Sequence, residues 1–234
     1  MTDPDAVPLD QAKIEALAEF AAGAGHEINN PVATIVGRVQ LLLRSETDPE
    51  RRQALKVIAG QAYRIRDMIG DLMLFARPPQ PEPIVCCLSD TVRQSVQKLQ
   101  DEVHQSGAMV ETDLHPSVPV WADPVQLAVV VTNLVRNALG AVEPEGLVRI
   151  ATQPVDQAGR TFGLLTVWDN GVAMDDEERQ HAFDPFFSGR QAGRGLGFGL
   201  PKCWRIVTNH GGRIEVHSSP KTGTTFHVSW PASR

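Results

Sequence analysis

The sequence predicts an α+β chain: a helical hairpin that becomes a four-helix bundle in a dimer, followed by an α/β sandwich domain. Three observations predict it. Two long segments, from about Asp10 to Arg44 and from Pro49 to about Ala76, place apolar residues at three- and four-residue steps. Arg77-Pro-Pro-Gln-Pro-Glu-Pro83 is too rich in proline to continue a helix and reads as extended linker. Beyond it, short strand-like runs alternate with amphipathic helical ones. The expected divisions are 10–77, a linker at 78–84, and 85–234.

In the first segment Ile14, Leu17, Ala21, Ala24, Ile28, Ile35, Val39 and Leu42 form the stripe, interrupted only by Pro31. One kinked helix or two stacked ones are expected, because proline removes a backbone bond and crowds the preceding turn. Residues 45–49 are the turn, and Asp48 before Pro49 is a helix start. The second stripe is Leu55, Ile58, Ala62, Ile65, Ile69, Leu72 and Ala76, a heptad pattern. Two helices with one stripe each cannot bury both faces, so a homodimer is expected. In the second domain a helix is expected over Leu88 to Ser106, a strand over Met109 to Leu114, and a helix opened by Asp123-Pro124, with Gln126 completing a capping box. Strands are expected at Val148–Thr152, Phe162–Trp168, Arg213–Ser218 and Thr225–Val228, with a helix near Pro201–Asn209. The arrangement is a sheet with helices on one face.

Composition narrows the function. Of 234 residues 42% are hydrophobic and 21% charged, and the net charge of -6 argues against nucleic acid or an anionic membrane surface as main partner. No stretch is long and apolar enough to span a membrane. Three cysteines, two of them adjacent, neither pair off nor offer metal-ligand spacing, which points to a reducing cytoplasm.

Four groups of residues carry chemical potential. Gly25-His26-Glu27-Ile28-Asn29-Asn30-Pro31 places Glu27 about 100° round the helix from His26, where it can hold one ring nitrogen and leave the other nucleophilic. Asn30 is four residues from His26, on the same face. Asn133 and Asn137 are likewise four apart, two amides whose oxygens could reach a metal-bound triphosphate. Asp169-Asn170-Gly171 follows a strand, where a carboxylate can accept from the exocyclic amine of adenine and glycine lets backbone approach the ring. Gly193, Gly195, Leu196, Gly197 and Gly199 lead into a helix and can present amides to phosphate, and Arg190, after the aromatic run Phe183 to Phe187, can neutralise a terminal phosphate. Taken singly each has a plain structural alternative: a solvated histidine, a wet helix face, a turn, a flexible loop.

In this order, with a closing Gly223-Thr224-Thr225-Phe226, the groups resemble the histidine, asparagine, first glycine, phenylalanine and second glycine boxes of sensor histidine kinases, from about Asp10 to the C-terminus. His-Glu-x-x-Asn-Pro is similar to the nitrogen-regulatory type. The resemblance implies a dimerisation and phosphoacceptor domain joined to an ATPase domain of the gyrase, Hsp90, histidine kinase and MutL type. It implies His26 as acceptor, Glu27 as adjacent base, Asn137 as Mg2+ ligand, Asp169 as adenine reader, and Asn133, Gly171, Arg190, Gly193, Gly195, Leu196, Gly197, Gly199 and Thr224 about the ATP. It also implies a response-regulator receiver domain as partner, with Asn30 able to position water for its dephosphorylation. Two departures stand out: Ala173 where the first glycine box usually has glycine, and Phe198 where leucine is usual. A degenerate nucleotide-binding scaffold is the alternative; its mark would be a missing histidine or asparagine, and both are present.

Overall fold

The computed structural model describes residues 11–76, 78–157, 159–185, 187 and 197–233. It divides into two compact units between Pro79 and Gln80. The first is a hairpin of α1 (Gln11–Ser45) and α2 (Pro49–Ala76). α1 runs through Pro31 as one helix. Asp48 opens α2 by accepting from Arg51 N–H at 2.9 Å, as a carboxylate N-cap does. Arg52 then reaches back, donating to the carbonyls of Leu43 and Glu46 at 2.9 and 2.7 Å, and so closes the C-terminus of α1. Val32, Val39, Ala59, Ala62, Ile69 and Leu72 are buried, while Ile35, Leu41, Leu42, Val57, Ile58 and Ile65 are exposed. Among the described side chains each stripe is thus buried along one edge and bare along the other.

The second unit holds a five-stranded sheet in the order β2-β4-β5-β7-β6: β2 (Met109–Leu114), β4 (Leu147–Gln157), β5 (Arg160–Asp169), β7 (Gly223–Pro231) and β6 (Arg213–Ser219). β2 pairs parallel with β4 and the other neighbours are antiparallel. One face of the sheet buries Val148, Ile150, Leu165, Val167, Phe226, Val228 and Trp230 in a core shared with α3 (Leu88–Lys98), α5 (Pro124–Ala141) and α7 (Gly199–Asn209). Alternate residues supply this layer because strand side chains point to opposite faces.

Several expectations are corrected. The helix expected over Leu88–Ser106 is two, α3 and α4 (Gln100–Ser106), because Leu99 leaves helical geometry at φ -93°, ψ 7°. β1 (Ile84–Cys87) and β3 (Pro119–Ala122) form an antiparallel pair that sequence patterning did not suggest, and Ile84, assigned to the linker, belongs to it. A short α6 (Asp176–Gln180) was also missed, although Asp175 and Glu178 make a complete capping box. At α5, Asp123 caps Val125 and Gln126 N–H at 2.8 and 3.2 Å. The reciprocal half is not supplied by Gln126, which is buried; Asp123 N–H donates instead to Nε2 of His210, at 3.1 Å. His210 Nδ1 donates to the Ile206 carbonyl at 2.8 Å, which sets the neutral tautomer. Cys86, Cys87 and Cys203 are all free thiols. No helix among the described residues is long and apolar enough to cross a membrane.

Burial alone would raise the Asp123 pKa, but the backbone donors Glu82, Gln126 and Val125 outweigh it and hold the carboxyl below its ordinary value. Such a group stabilises the fold above the ordinary aspartate range, and the benefit is lost as pH falls through the depressed value. Asp123→Ala is expected to cost about 1 kcal/mol in chemical denaturation at neutral pH, with the gap to wild type closing in acid. A gap independent of pH would contradict this account.

Candidate functional site

In the first unit His26, Glu27 and Asn30 follow one another on α1. The imidazole of His26 lies outside the described side chains. Glu27 and Asn30 are both exposed, so each can meet a solvent-borne reactant. Pro31 has no N–H and removes a backbone bond from the turn that carries His26. One step on, Thr34 Oγ1 donates to the Asn30 carbonyl at 3.0 Å.

In the second unit α5 is the spine. Asn133, Asn137 and Ala141 recur at four-residue spacing and therefore share a face of that helix. Asn133 Nδ2 donates to the Val129 carbonyl at 2.7 Å, which turns its oxygen outward toward the start of α7: a β-carbon built on Gly199 would lie 3.5 Å from Asn133 Oδ1. At the other end, the Ala141 carbonyl accepts from Val172 N–H at 3.1 Å. Asn137 lies midway between the start of α7 and the loop after β5. Arg136, beside it in sequence, is turned aside onto α4 by two bonds to Glu102 of 2.8 and 2.6 Å. Those bonds hold the Glu102 carboxyl below its ordinary pKa.

Asp169 ends β5 and is 1% exposed. Its Oδ1 accepts from Gly171 N–H at 3.0 Å, so the loop after β5 fixes the carboxylate. Thr224 lies directly across on β7, also buried, its hydroxyl 2.8 Å from that of Ser218. Ser218 in turn accepts from Met174 N–H at 2.9 Å. Asn170 bridges the other side, its Oδ1 accepting from Leu147 N–H at 2.7 Å. The first glycine box is therefore held at both edges by β4 and β6.

Packing by itself requires glycine at position 171. A β-carbon there would stand 2.3 Å from the Ala141 carbonyl oxygen; α5 itself approaches the glycine. Gly223, at φ 72°, would drive a β-carbon to 2.0 Å from the Asp169 carbonyl oxygen. Gly197, also at φ 72°, would meet the Phe187 carbonyl oxygen at 2.1 Å. That contact joins the end of the aromatic run to the start of α7. Phe198, the departure from leucine, is buried, which agrees with a packing role. It precedes α7 without a side-chain cap, a helix start suited to an anion. Arg190, Gly193, Gly195 and Leu196 lie outside the described residues.

Two residues that position this site escaped the sequence reading. Ser218 holds Met174 from 44 residues away, and His210 closes the α5 cap from 87 away. Neither belongs to a local pattern.

Two family models match the chain. The His Kinase A (phospho-acceptor) domain matches residues 16–81, and the Histidine kinase-, DNA gyrase B-, and HSP90-like ATPase matches residues 122–234. Among curated relatives, the sensory histidine kinase/phosphatase NtrB of Klebsiella oxytoca is 32% identical over 231 residues, 95% of this chain and 64% of that protein. Sensor histidine kinase ZraS of Klebsiella oxytoca is 30% identical over 94% of this chain and 47% of its own length. Sporulation kinase E of Bacillus subtilis is 26% identical over 93% of this chain and 29% of its own. The chain thus spans less than a third to just under two thirds of these relatives. Among solved structures, full-length ShkA in complex with AMPPNP shares the fold at TM-score 0.78 and 20% identity, over 92% of this chain and 46% of that one. Histidine kinase ThkA in complex with response regulator TrrA does so at 0.69 and 22%, over 95% and 64%.

Because the Ala141 backbone cannot yield as a side-chain tip does, Gly171→Ala is expected to lower stability by about 1–3 kcal/mol, read as a shifted denaturation midpoint. An unchanged midpoint would mean that the Ala141 approach is not a tight one.

Proposed function

Since the chain belongs to the two-component sensor histidine kinases, with a phosphoacceptor domain ahead of an ATPase domain, we propose that it phosphorylates His26 from ATP and passes the phosphoryl group to an aspartate of a response-regulator receiver domain. The observation that supports this most is the single face of α5 on which Asn133 meets the start of α7, Ala141 meets the loop that fixes Asp169, and Asn137 lies between. In this reading the buried Asp169 carboxylate accepts from the adenine amine, and Gly171 and Thr224 bound the base. Gly193, Gly195, Leu196, Gly197, Gly199 and the amides of α7 receive the phosphates. Arg190 neutralises the terminal phosphate.

One amide oxygen, from Asn137, suits Mg2+, which takes few protein ligands and keeps phosphate oxygens and water. When bound it screens the charge of the phosphates. Glu27 holds one nitrogen of His26 and raises the nucleophilicity of the other. That nitrogen bonds to the γ-phosphorus as the bond to the bridging oxygen breaks and ADP leaves. In the second step the phosphorus–nitrogen bond breaks as the regulator's carboxylate oxygen takes the phosphoryl group. Exposed Asn30, four residues from His26, then positions water for removal of the regulator's phosphate.

The bare edges of both helical stripes, with Ile35, Leu41, Leu42, Val57, Ile58 and Ile65 exposed, support a homodimer through the hairpin. A cytoplasmic placement agrees with free thiols and with a receiver domain as partner.

Incubation with γ-labelled ATP and magnesium is expected to give an acid-labile, base-stable label on the wild type, none on His26→Gln, and little on Asn137→Ala. An acid-stable label, or one unchanged in His26→Gln, would overturn the mechanism. Light scattering is expected to give about twice the chain mass; a stable monomer would count against the bundle.

A further inference from the structure

Glycine inside a helix is disfavoured by about 1 kcal/mol relative to alanine. The hairpin nonetheless carries five among its described side chains. At Gly23, Gly37, Gly60 and Gly70 a β-carbon would meet nothing within 4 Å. Gly25 differs: a β-carbon there would stand 2.7 Å from Met73 Sδ, 3.4 Å from Met73 Cγ and 3.6 Å from Ile69 Cγ2. Gly25 and Ile69 are buried and Met73 is partly so. The thioether of Met73 on α2 therefore fills a notch in α1 that exists only because residue 25 lacks a side chain. The next residue on α1 is His26.

Pro31 withholds one backbone bond just beyond His26. Asn29, four residues from Gly25 and so on the same face, has its Oδ1 shut off from solvent with no hydrogen-bond partner among the described residues. A buried amide oxygen left without a donor does not hold the helix in place. Among the described side chains, the packing of Met73 into the notch is the contact that holds the α1 backbone against α2 next to His26, and methionine suits an irregular gap of this kind.

We propose that Met73, seated in the Gly25 notch, is a positioning residue for phosphorylation of His26. This rests on His26 being the acceptor. Adjacent residues of a helix share one rigid backbone, so a displacement of Gly25 carries His26 with it, and a misplacement of about 1 Å can slow a reaction on the order of 100-fold.

A double-mutant cycle tests the proposal, with the rate of acid-labile label formation and KM for ATP measured for each protein. Gly25→Ala is expected to fold, since alanine favours helix and Met73 can swing away, yet to label about 10-fold or more slowly with KM unchanged. Met73→Ala, which empties the notch from the other helix, is expected to label more slowly at unchanged KM as well. The double variant should be no slower than the slower single, because both changes break one contact. Gly23→Ala gains the same helix propensity in open space and is expected to keep the wild-type rate. Wild-type rates in Gly25→Ala or Met73→Ala, or single effects that multiply in the double variant, would overturn the proposal. Should Gly25→Ala fail to fold, the rate and KM of Met73→Ala decide alone. A wild type labelled on His26 with an additive cycle removes only this inference; a wild type that never labels His26 removes the parent reading too.

Discussion

The second unit depends on backbone meeting backbone at three glycines. The carbonyl of Ala141 abuts Gly171, that of Asp169 abuts Gly223, and that of Phe187 abuts Gly197, each where a β-carbon would sit 2.0–2.3 Å from the oxygen. The contacts draw the C-terminus of α5, the end of β5, the start of β7 and the approach to α7 together. Asp169 is then fixed from the loop side by Gly171 N–H and bordered on β7 by Thr224.

The hairpin rests on a different balance. Its inner edge is packed well enough to define the pair of helices, and its outer edge leaves large apolar residues in water. Hydrophobic area of that kind is a cost to an isolated chain and a driving force for association. Arg52 settles the turn end by satisfying two carbonyls at the close of α1. Toward the other end, among the described side chains, Met73 of α2 seats against Gly25 of α1.

How much of this was legible follows from how local each signal is. Asp48-Pro49 and Asp123-Pro124 announce helix starts because the cap and the proline act within three residues. The long stripes announce the hairpin for the same reason. β1 and β3 escaped notice since four residues each, Ile84–Cys87 and Pro119–Ala122, are stable only as partners far apart in sequence. Gln126 satisfied the local capping pattern and was displaced by His210, an acceptor that no window of sequence contains. The ordered boxes located Asp169, Gly171 and Thr224, because chain order survives folding. They left unsaid that the neighbour of Gly171 is Ala141, a fact of packing rather than pattern.

Asp123 also has a mechanical meaning. Its carboxylate accepts from the backbone of Glu82, near the end of the proline-rich run, while capping α5, and its own N–H is anchored on His210 at the end of α7. The chain entering the domain and the N-terminus of the helix that carries Asn133 and Asn137 therefore share one carboxylate. Losing that side chain releases a bond to the incoming polypeptide and the cap of the helix together.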